Sequence, residues 1–441
     1  MKRTLHVALA LVFLAAPEVS FASGFKVNEQ DAKAAGMGLA FTGQADDPGA
    51  LATNIAGIGQ LEGYQASTTT ALLYVPGRDF ESQLAGLASQ KADNQLFALP
   101  SMYLTAQIGC DSPLHAGLAV YSMYGLTQDW NLTGTGNLPP VPLAGFSRNV
   151  DRVDLKTVFI NPVIAYEVMP ERVTLAAGFI AAYGDINAES NPVFNAGGSI
   201  QELAELEQEA RGWDWSWNVA VHAKVNDCLS IGAYYRHRLT LHMSGDFEAD
   251  HLNPLIFGAA QSFQTHENID VPLPGVAGAG ISWKPNCRLT VNADFEYNFW
   301  SAFDDVSVDL SAPLRDRAGR AVVTSDTLSQ HPNWDDSWAA RVGCQYDLTR
   351  HISARAGYFY DTTPVPGSRL DPSVPDASRH GITFGGGYSA CHWSVDFAYM
   401  LVLVGERGVN NGALAPQIAR QDGIYTSDPT HVFMLTMGLK F

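Results

Sequence analysis

The sequence ends in THVFMLTMGLKF, residues 430–441. Read in steps of two, this stretch places its largest apolar side chains on one face: Phe433, Leu435, Met437, Leu439 and Phe441. The intervening positions include Thr436, Gly438 and Lys440. A period of two is that of a β-strand, whereas an α-helix repeats its faces about every 3.6 residues. The chain is therefore predicted to end in a strand with one strongly apolar face.

The same alternation recurs along most of the chain. Residues 289–300 read LTVNADFEYNFW, with the apolar residues on one face and Asn292, Asp294 and Glu296 on the other. Residues 393–403 repeat the pattern. Alternation of this kind is typical of an antiparallel sheet with one apolar and one polar face.

The connections between these strands alternate in length. Six are tight turns, at residues 110–113, 169–171, 225–228, 284–287, 347–350 and 389–391. Seven are long, near residues 76–93, 125–153, 189–211, 247–267, 310–336, 362–379 and 405–428. Thirteen connections join fourteen strands, and an even strand count with short turns on one rim is typical of an outer-membrane β-barrel. A soluble β-sandwich would not alternate its connections so regularly.

The start of the chain has the features of a secretory signal peptide. Lys2 and Arg3 precede a short apolar run, residues 5–16, and Ser20-Phe21-Ala22 fits the small-x-small cleavage rule. We therefore predict a signal peptide at residues 1–22. No later stretch reaches the ~20 apolar residues that a membrane helix needs. A soluble secreted enzyme would share both features, so the strand pattern must distinguish it from a membrane barrel.

Residues 23–62 are rich in Gly and Ala and show no regular period. A disordered leader is one interpretation, but the segment is too apolar for a solvated tail. We predict that it is a hatch that plugs the lumen, followed by the fourteen-stranded barrel over residues 63–441. Its apolar residues are Phe25, Met37, Leu39, Phe41, Leu51, Ile55 and Ile58.

Composition and motifs exclude several functions. A net charge of −18 argues against a nucleic-acid partner. The sequence contains no CxxC, HExxH or GxSxG motif, so no metal, cofactor or catalytic site is predicted. The five cysteines are an odd number for an exported chain. A disulfide between neighbouring turns and unpaired cysteines are both compatible with the spacing.

The polar faces of the predicted strands carry charges of both signs. An unpaired charge in a narrow, plugged lumen is costly, so we predict that these residues pair with one another and support the hatch. They are Arg236, Arg238, Asp294, Glu296, Arg341, Arg355 and Asp396.

Two of the predicted loops contain clusters of apolar residues. One cluster lies in the loop near 125–153 and the other in the loop near 247–267. Such clusters indicate an outward-facing apolar groove and favour a hydrophobic solute over the sugars and ions of a general porin. The residues are Trp130, Leu132, Leu138, Val141, Leu143 and Phe146 in the first loop, and Leu252, Leu255, Ile256 and Phe257 in the second.

A third loop contains SIQELAELEQEAR, residues 199–211. Ile200, Leu203 and Leu206 lie three residues apart, and Ser199 is followed three residues later by Glu202. This pattern predicts a short amphipathic helix with a capping box.

Four segments resemble the FadL-type long-chain fatty acid and hydrocarbon transporters of bacterial outer membranes. The first is SGFKVNEQDAKAAGMGLAFTG with ADDPGALATN, which is similar to the family's hatch. The others are DVPLPGVAGAGISW at 270–283, NFWSAF at 298–303, and RAGYFYDTTPVPGSRLDPSVPDASRHGITFGGGY at 355–388. The resemblance runs the length of the mature protein, and these four segments are its specific motifs.

The resemblance implies passive uptake of a hydrophobic small molecule across the outer membrane of a Gram-negative bacterium. A ligand would be captured between extracellular loops, pass to a pocket beside the hatch, and leave sideways through a kink in the third strand, His115–Tyr124. The candidate ligand-binding residues are Phe25, Trp130, Leu132, Phe146, Tyr183, Asp185, Leu203, Leu206, Arg236, Arg238, Phe257, Phe303 and Ser307, and the candidate hatch residues are Asp46, Asp47, Asn54 and Ala56.

The implied partners are membrane lipid, lipopolysaccharide and, through Phe441, the barrel assembly machinery, with the protein a monomer. Two departures from the family pattern bear on the ligand. Ile55 stands where the hatch usually has proline, and Asp185 and Ser307 stand where basic residues would hold a carboxylate. Fatty acid is the family expectation. The departures favour a neutral aromatic or alkyl hydrocarbon, or a carboxylate held by Arg236 or Arg238. A general porin and a barrel hydrolase are the alternatives of another class.

Overall fold

The computed structural model describes residues 24–83, 89–109, 112–130, 151–196, 199–370, 372–410 and 422–441. The predicted signal peptide lies outside these residues. Fourteen antiparallel strands close into a barrel, and four of them are interrupted. The strands are β1 Tyr64–Val75, β2 Gln95–Gln107, β3 Leu114–Tyr121 with Gly125–Asp129, β4 Arg152–Met169, β5 Val173–Ser190, β6 Glu205–Asn226, β7 Leu229–Arg236 with Leu239–Asp250, β8 Phe263–Leu273 with Val276–Asn286, β9 Leu289–Asn298 with Ser307–Leu310, β10 Ser337–Asp347, β11 Ile352–Asp361, β12 Arg379–Ser389, β13 Trp393–Val404 and β14 Thr430–Lys440.

The C-terminal strand closes the barrel. β14 pairs with β13 on one side and with β1 on the other, so that Leu439 lies opposite both Trp393 and Ala66. Val432 and Met434 point into the interior and are buried, whereas Phe433 and Leu435 are 46% and 40% exposed. The face predicted to be apolar is therefore the outer face of the barrel.

The predicted alternation of short and long connections is confirmed, and so is the count of fourteen strands. Six hairpin turns separate β2 from β3, β4 from β5, β6 from β7, β8 from β9, β10 from β11 and β12 from β13. The long connections lie on the opposite rim, which is the extracellular side in outer-membrane barrels.

The helix predicted at residues 199–211 is wrong. Residues Ser199–Glu202 form a short strand paired with Val193–Ala196, and β6 begins at Glu205. In β6, Leu206 and Ala210 are buried while Glu205 and Glu209 are exposed. From Leu206 to Arg211 the chain pairs with both β5 and β7, and this pairing overrides the helical propensity of Glu, Leu, Ala and Gln.

The third strand extends further than the sequence indicated. Gly125–Asp129, predicted to be loop, pairs with the start of β4. The strand is interrupted between Tyr121 and Gly125, at the end of the stretch where the family resemblance placed a kink.

Residues 24–62, called the hatch below, lie inside the barrel. They form a short helix α1, Ala32–Gly36, and two 3-10 helices, Pro48–Ala52 and Ile55–Gln60. Almost all of their side chains are buried against inward-facing residues of the strands. The prediction of a packed segment, not a solvated tail, agrees with this burial.

Small accessory elements cover the extracellular rim. The strands Asp79–Ser82, Gln90–Lys91, Arg407–Asn410 and Asp422–Thr426 form a four-stranded sheet, called the lid sheet below. Two short helices lie in the long loops, α2 at Pro254–Phe257 and α3 at Ser325–Leu328, and Leu314–Arg315 pairs with Ala321–Val323.

Among the described residues, no helix combines the length and the apolar character needed to span a bilayer.

Candidate ligand-binding site

The hatch is held to the barrel wall by hydrogen bonds between side chains of the wall and backbone groups of the hatch. The Asp294 carboxylate on β9 accepts the N–H groups of Phe41 at 2.8 Å and Thr42 at 2.7 Å. Asn292, two residues earlier on the same face, donates to the carbonyl oxygen of Ala40 at 2.9 Å. A carboxylate that accepts two N–H groups is a strong anchor because charge-assisted hydrogen bonds are stronger than neutral ones.

The part of the hatch at Met37 and Gly38, called the hatch tip below, packs directly against β10 and β11. A Cβ at Gly343 would stand 2.0 Å from the carbonyl oxygen of Met37, and one at Gly357 would stand 2.2 Å from the nitrogen of Gly38. Gly38 itself has φ +65°, a conformation that glycine adopts without strain. Only glycine in the wall allows the hatch backbone to approach so closely.

A buried ionic cluster lies between the hatch and β9. Glu296 pairs with Lys26 of the hatch at 2.5 Å and with Arg341 of β10 at 2.9 Å, and accepts a hydrogen bond from Tyr234 at 2.6 Å. Arg355 pairs with Asp396 at 2.6 Å nearer the turn rim. The predicted pairing of lumen charges is confirmed for these residues.

Aromatic rings surround the beginning of the hatch. The ring of Phe25 lies 4.9 Å from that of Trp300, 5.3 Å from Phe303 and 5.8 Å from Trp334. Tyr124, at the break in β3, completes the cluster at 6.0 Å. Edge-to-face contacts at these distances are favourable beyond the burial of area alone, so Phe25 is held firmly at this position.

A cavity of about 120 Å³ lies beside Phe25 in the extracellular half of the barrel. Its walls are mostly aliphatic and aromatic, and of the described residues that line it none is Lys or Arg and only Glu189 is acidic. The lining residues are Phe25, Leu126, Val153, Leu155, Ile186, Ala188, Glu189, Ser190, Gln208, Ile269, Val271, Phe303, Val306, Val308, Leu328, Gln330, Pro332, Trp334, Ser373 and Val374.

An apolar path connects this cavity to the extracellular loops. A second buried cluster, called the outer apolar cluster, includes Leu206, Phe247 and Phe257 of β6, β7 and α2. Leu310 and Leu328 pack against both this cluster and the core around the cavity. Apolar side chains therefore extend from α2 to the cavity wall.

The hatch also touches the interruption in β3. Gly125 donates its N–H to the carbonyl oxygen of Phe25 at 2.9 Å, and Val27 donates to Met123 at 2.8 Å. Lys26 and Tyr124 form an antiparallel bridge. Two residues of the hatch, Phe25 and Val27, thus occupy backbone groups that an uninterrupted β3 would offer to a neighbouring strand.

A separate, polar cavity of about 640 Å³ opens at the turn rim. Charged residues of both hatch and wall face it, including Lys33, Asp46, Asp47 and Arg355. The molecule therefore has an apolar compartment on the extracellular side of the hatch and a polar compartment on the other.

The chain matches the model of the family described as "Outer membrane protein transport protein (OMPP1/FadL/TodX)" over residues 13–441. The chain belongs to this family. It is 23% identical over 438 residues to the long-chain fatty acid transport protein of Escherichia coli K12, with 88% of each chain covered. A similar protein from Salmonella typhi is 22% identical over 418 residues, again with 88% of each covered.

Two solved structures show the same fold as this FadL/TodX-family protein. A FadL homologue from Pseudomonas aeruginosa superposes with a TM-score of 0.76 at 19% identity, covering 95% of this chain and 100% of that one. The toluene transporter TbuX of Ralstonia pickettii gives 0.67 at 15% identity, with the same coverage. This protein is a bacterial outer-membrane β-barrel that transports hydrophobic compounds and is not an enzyme.

Five of the residues singled out from the sequence lie in the apolar compartment of this FadL/TodX-family barrel. Phe25 and Phe303 line the cavity. Leu206 and Phe257 belong to the outer apolar cluster, and the half-buried Leu203 packs against it. These five residues lie along the path from the extracellular rim to the hatch.

Other sequence-selected residues do not reach the cavity. Tyr183 and Asp185 alternate with inward residues of β5 and face outward, where Asp185 pairs with Arg211 at 3.0 Å. Ser307 stands between Val306 and Val308, which do line the cavity. The prediction that Asp185 and Ser307 occupy the inner pocket therefore does not describe this cavity.

The remaining candidate residues are dispersed. Trp130 packs against the lid sheet, its ring 6.2 Å from that of Tyr425, and its indole N–H donates to Pro372 at 2.9 Å. Arg236 is buried beneath the hatch, whereas Arg238, at the break in β7, is exposed. Leu132 and Phe146 lie outside the described residues.

The hatch residues chosen from the sequence have structural contacts. Asn54 caps the second 3-10 helix by accepting the N–H of Ala56 at 3.2 Å, and donates to the carbonyl oxygen of Thr42 at 2.9 Å. Asp46 and Asp47 lie 2.7 Å and 3.7 Å from Lys33. These contacts join the parts of the hatch to one another.

Sequence reasoning missed most of the cavity wall. Ile269 and Val271 of β8 and Trp334 of the long loop before β10 were not singled out, although all three line the cavity. The alternation in β8 places Ile269 and Val271 on one face. It does not show which other strands contribute side chains to the same cavity. The four described cysteines of the turns and strands, Cys228, Cys287, Cys344 and Cys391, are free.

Proposed function

We propose that this protein takes up neutral, hydrocarbon-like molecules, alkyl or aromatic. The observation that carries the proposal is the cavity beside Phe25, with its apolar walls and no Lys or Arg among the described lining residues. An ionised carboxylate buried there would have no cation to compensate its lost hydration. A dry apolar cavity of roughly 150 Å³ binds benzene in another protein, so the volume suits one ring or a short alkyl segment.

The outer apolar cluster serves as the first contact for the ligand. Leu255 of α2 is 54% exposed and adjoins the buried Phe257. Ligand adsorbed here passes Leu310 and Leu328, which contact both apolar clusters, and reaches the cavity wall. Each step replaces water by apolar contact, so that no energy source is needed.

The exit is the break in β3. Withdrawal of Phe25 and Val27 from Gly125 and Met123 frees the backbone groups at the break and removes one wall of the cavity. The ligand then leaves sideways between strands into the lipid, without crossing the polar compartment at the turn rim.

Native mass spectrometry of the protein in mild detergent tests the proposal. An equimolar mixture of an alkylbenzene and a fatty acid of equal carbon number is offered, and we expect retention of the alkylbenzene. Val153→Trp fills the cavity and is expected to abolish retention. Val168→Trp is the control, because Val168 lies on the same strand but is 47% exposed on the outer face. Retention in both variants, or in neither, contradicts the assignment of the cavity.

Long-chain fatty acid is a second candidate, favoured by Arg236. Its guanidinium is buried under the hatch, donates to the carbonyl oxygen of Ala52 at 3.1 Å and lies 5.8 Å from the ring of Tyr121. Its Nε has no hydrogen-bond partner among the described residues. If a carboxylate binds there after hatch movement, Arg236→Met lowers retention of fatty acid and leaves that of alkylbenzene unchanged.

Partners other than the ligand are part of the same proposal. The outward aromatic residues Trp213, Trp215 and Trp217 of β6 are exposed and suit contact with lipid and lipopolysaccharide. Phe441, 75% exposed after β14, suits recognition by the barrel assembly machinery. Because β14 and β1 close the barrel within one chain, a monomer is sufficient for transport.

A further inference from the structure

One polar pair interrupts the apolar path. Gln208 of β6 lines the cavity, and its side-chain amide donates to Oε2 of Glu267 on β8 at 2.9 Å. Glu267 is completely buried, and its Oε1 has no hydrogen-bond partner among the described residues. Gln208 therefore forms part of the cavity wall, whereas Glu267 lies inside the barrel but is not among the lining residues.

The surroundings of the pair are apolar. Ile269 and Val271 continue the inward face of β8 from Glu267 and line the cavity, and Leu310 lies opposite Glu267 in the β8–β9 register. No Lys, Arg or His of the described residues forms an ion pair with Glu267. Burial of a carboxyl group in such surroundings costs free energy. Nothing in the barrel fold requires an acid at this position, so the group is expected to have a functional role.

The hydrogen bond to Glu267 fixes the orientation of Gln208. With its N–H₂ directed at Glu267, the amide keeps its carbonyl oxygen as a free acceptor, to which the described residues donate no hydrogen bond. A plain hydrocarbon in the cavity leaves this acceptor without a partner. A ligand with one O–H group at its polar end supplies the missing donor.

We propose that Gln208, positioned by Glu267, recognises a single hydroxyl group on an otherwise apolar ligand, such as an alkylphenol or a fatty alcohol. This inference rests on the proposed function, since it uses the same cavity. Glu267 is a positioning residue, because it reaches the ligand only through Gln208. A carboxylate ligand is disfavoured at this end. Its oxygens only accept hydrogen bonds, as the side-chain carbonyl oxygen of Gln208 does, and it would place a second acid beside Glu267.

Calorimetric titration of the full-length protein in detergent with 4-octylphenol and octylbenzene tests the proposal. We expect wild type to bind the phenol about five- to tenfold more tightly, the effect of one neutral hydrogen bond. Gln208→Leu is expected to reduce this ratio to about one while octylbenzene still binds. Gln264→Leu is the matched control and should keep the wild-type ratio, because the Gln264 amide also donates to a glutamate, Glu248, at 2.6 Å but this exposed pair lies outside the cavity lining.

Two variants at Glu267 separate positioning from folding. Glu267→Gln retains an oxygen that accepts from Gln208 and should keep the preference, whereas Glu267→Leu releases Gln208 and should lose most of it. Equal affinities in wild type, or an unchanged ratio in both Gln208→Leu and Glu267→Leu, overturn the inference but leave the cavity as a ligand site. If neither compound binds to wild type, the proposed function itself fails and the inference with it.

Discussion

Lys26 of the hatch and Glu296 of the barrel wall form a buried ion pair, with Nζ 2.5 Å from Oε1 and both side chains almost fully removed from solvent. This contact joins the hatch, whose movement the proposed exit route requires, to the barrel wall. Lys26 directly follows Phe25, which lines the cavity. If the hatch moves, either this ion pair must break or the strand that carries Glu296 must move with the hatch.

Removal of Glu296 is predicted to be more harmful than removal of Lys26. Glu296→Gln leaves both Lys26 and Arg341 buried without a full counter-charge, which costs about 3–5 kcal/mol. Lys26→Met leaves Glu296 paired with Arg341 and mainly frees the hatch. Urea unfolding in detergent should rank Glu296→Gln below Lys26→Met, and planar-bilayer recordings should show more frequent openings for Lys26→Met than for wild type.

Lys440→Met is the control for this comparison. The Lys440–Glu62 pair is solvent-exposed at 3.8 Å, and exposed pairs contribute little, so that both readouts should match wild type. Equal stability of Glu296→Gln and Lys26→Met would contradict the assignment of Glu296 as the centre of the cluster.

Asp294→Ala is predicted to loosen the middle of the hatch. Its carboxylate accepts two N–H groups, from Phe41 and Thr42, and each hydrogen bond to a charged group contributes about 1.5–3 kcal/mol. Hydrogen exchange followed by mass spectrometry should show faster exchange of residues 38–45. The exposed Asp309 of β9, changed to Ala, should leave this exchange as it is. Unchanged protection in Asp294→Ala would mean that other contacts hold this part of the hatch.

Gly343→Ala is predicted to displace the hatch tip. The added methyl group would meet the carbonyl oxygen of Met37 at 2.0 Å. Because this contact is with backbone, it can be relieved only by a shift of the main chain, which is destabilising. Gly386→Ala is the matched control, since its methyl group would meet only the carbonyl oxygen of Ser353 at 3.6 Å. Limited proteolysis should cleave the hatch faster in Gly343→Ala alone; equal rates in the two variants would refute the close contact.

A pH dependence is predicted from Asp376, in the loop between β11 and β12. Its burial raises the pKa of the carboxyl to about 6, against the hydrogen bonds from Thr363 and the Gly24 N–H, which lower it. The folded protein holds this proton more tightly than the unfolded chain. The stabilisation that the protonated Asp376 carboxyl group gives the folded protein is therefore complete below about pH 4 and is lost as the pH rises through about 6.

Asp376→Asn removes this dependence. The variant should match wild type in urea unfolding at pH 4 and exceed it at pH 7, by on the order of 2 kcal/mol. Asp428→Asn, on the exposed loop before β14, should track wild type at both values. A constant difference between Asp376→Asn and wild type across this range would show that Asp376 does not titrate as its burial indicates.

The barrel could be predicted from the sequence because its signals are local. Alternation fixes strands such as β9 and β14, and Gly- and Pro-containing turns fix their ends. The helix predicted at 199–211 failed because local propensity favoured it, while pairing of β6 with β5 and β7 decided the outcome. Three apolar residues at helical spacing were too few to outweigh that pairing.

The cavity was harder to predict because it depends on register and on distant contacts. Asp185 was placed in the inner pocket, yet its neighbours Gly184 and Ile186 face inward instead, since a shift of one residue exchanges the two faces of a strand. Trp334, Gln208 and Phe25 are brought together only when the barrel closes. No periodicity within any one of these segments shows that they meet.

The pairing of β14 with β1 and β13 has a consequence for truncation. Removal of Thr430–Lys440 would deprive two strands of their partners at once, leaving two free sheet edges at membrane depth. In hydrocarbon these backbone groups find no water to replace the lost hydrogen bonds. Partial barrels that lack this last strand should therefore have no stable place in the bilayer, so that insertion of the wall proceeds as a single cooperative event.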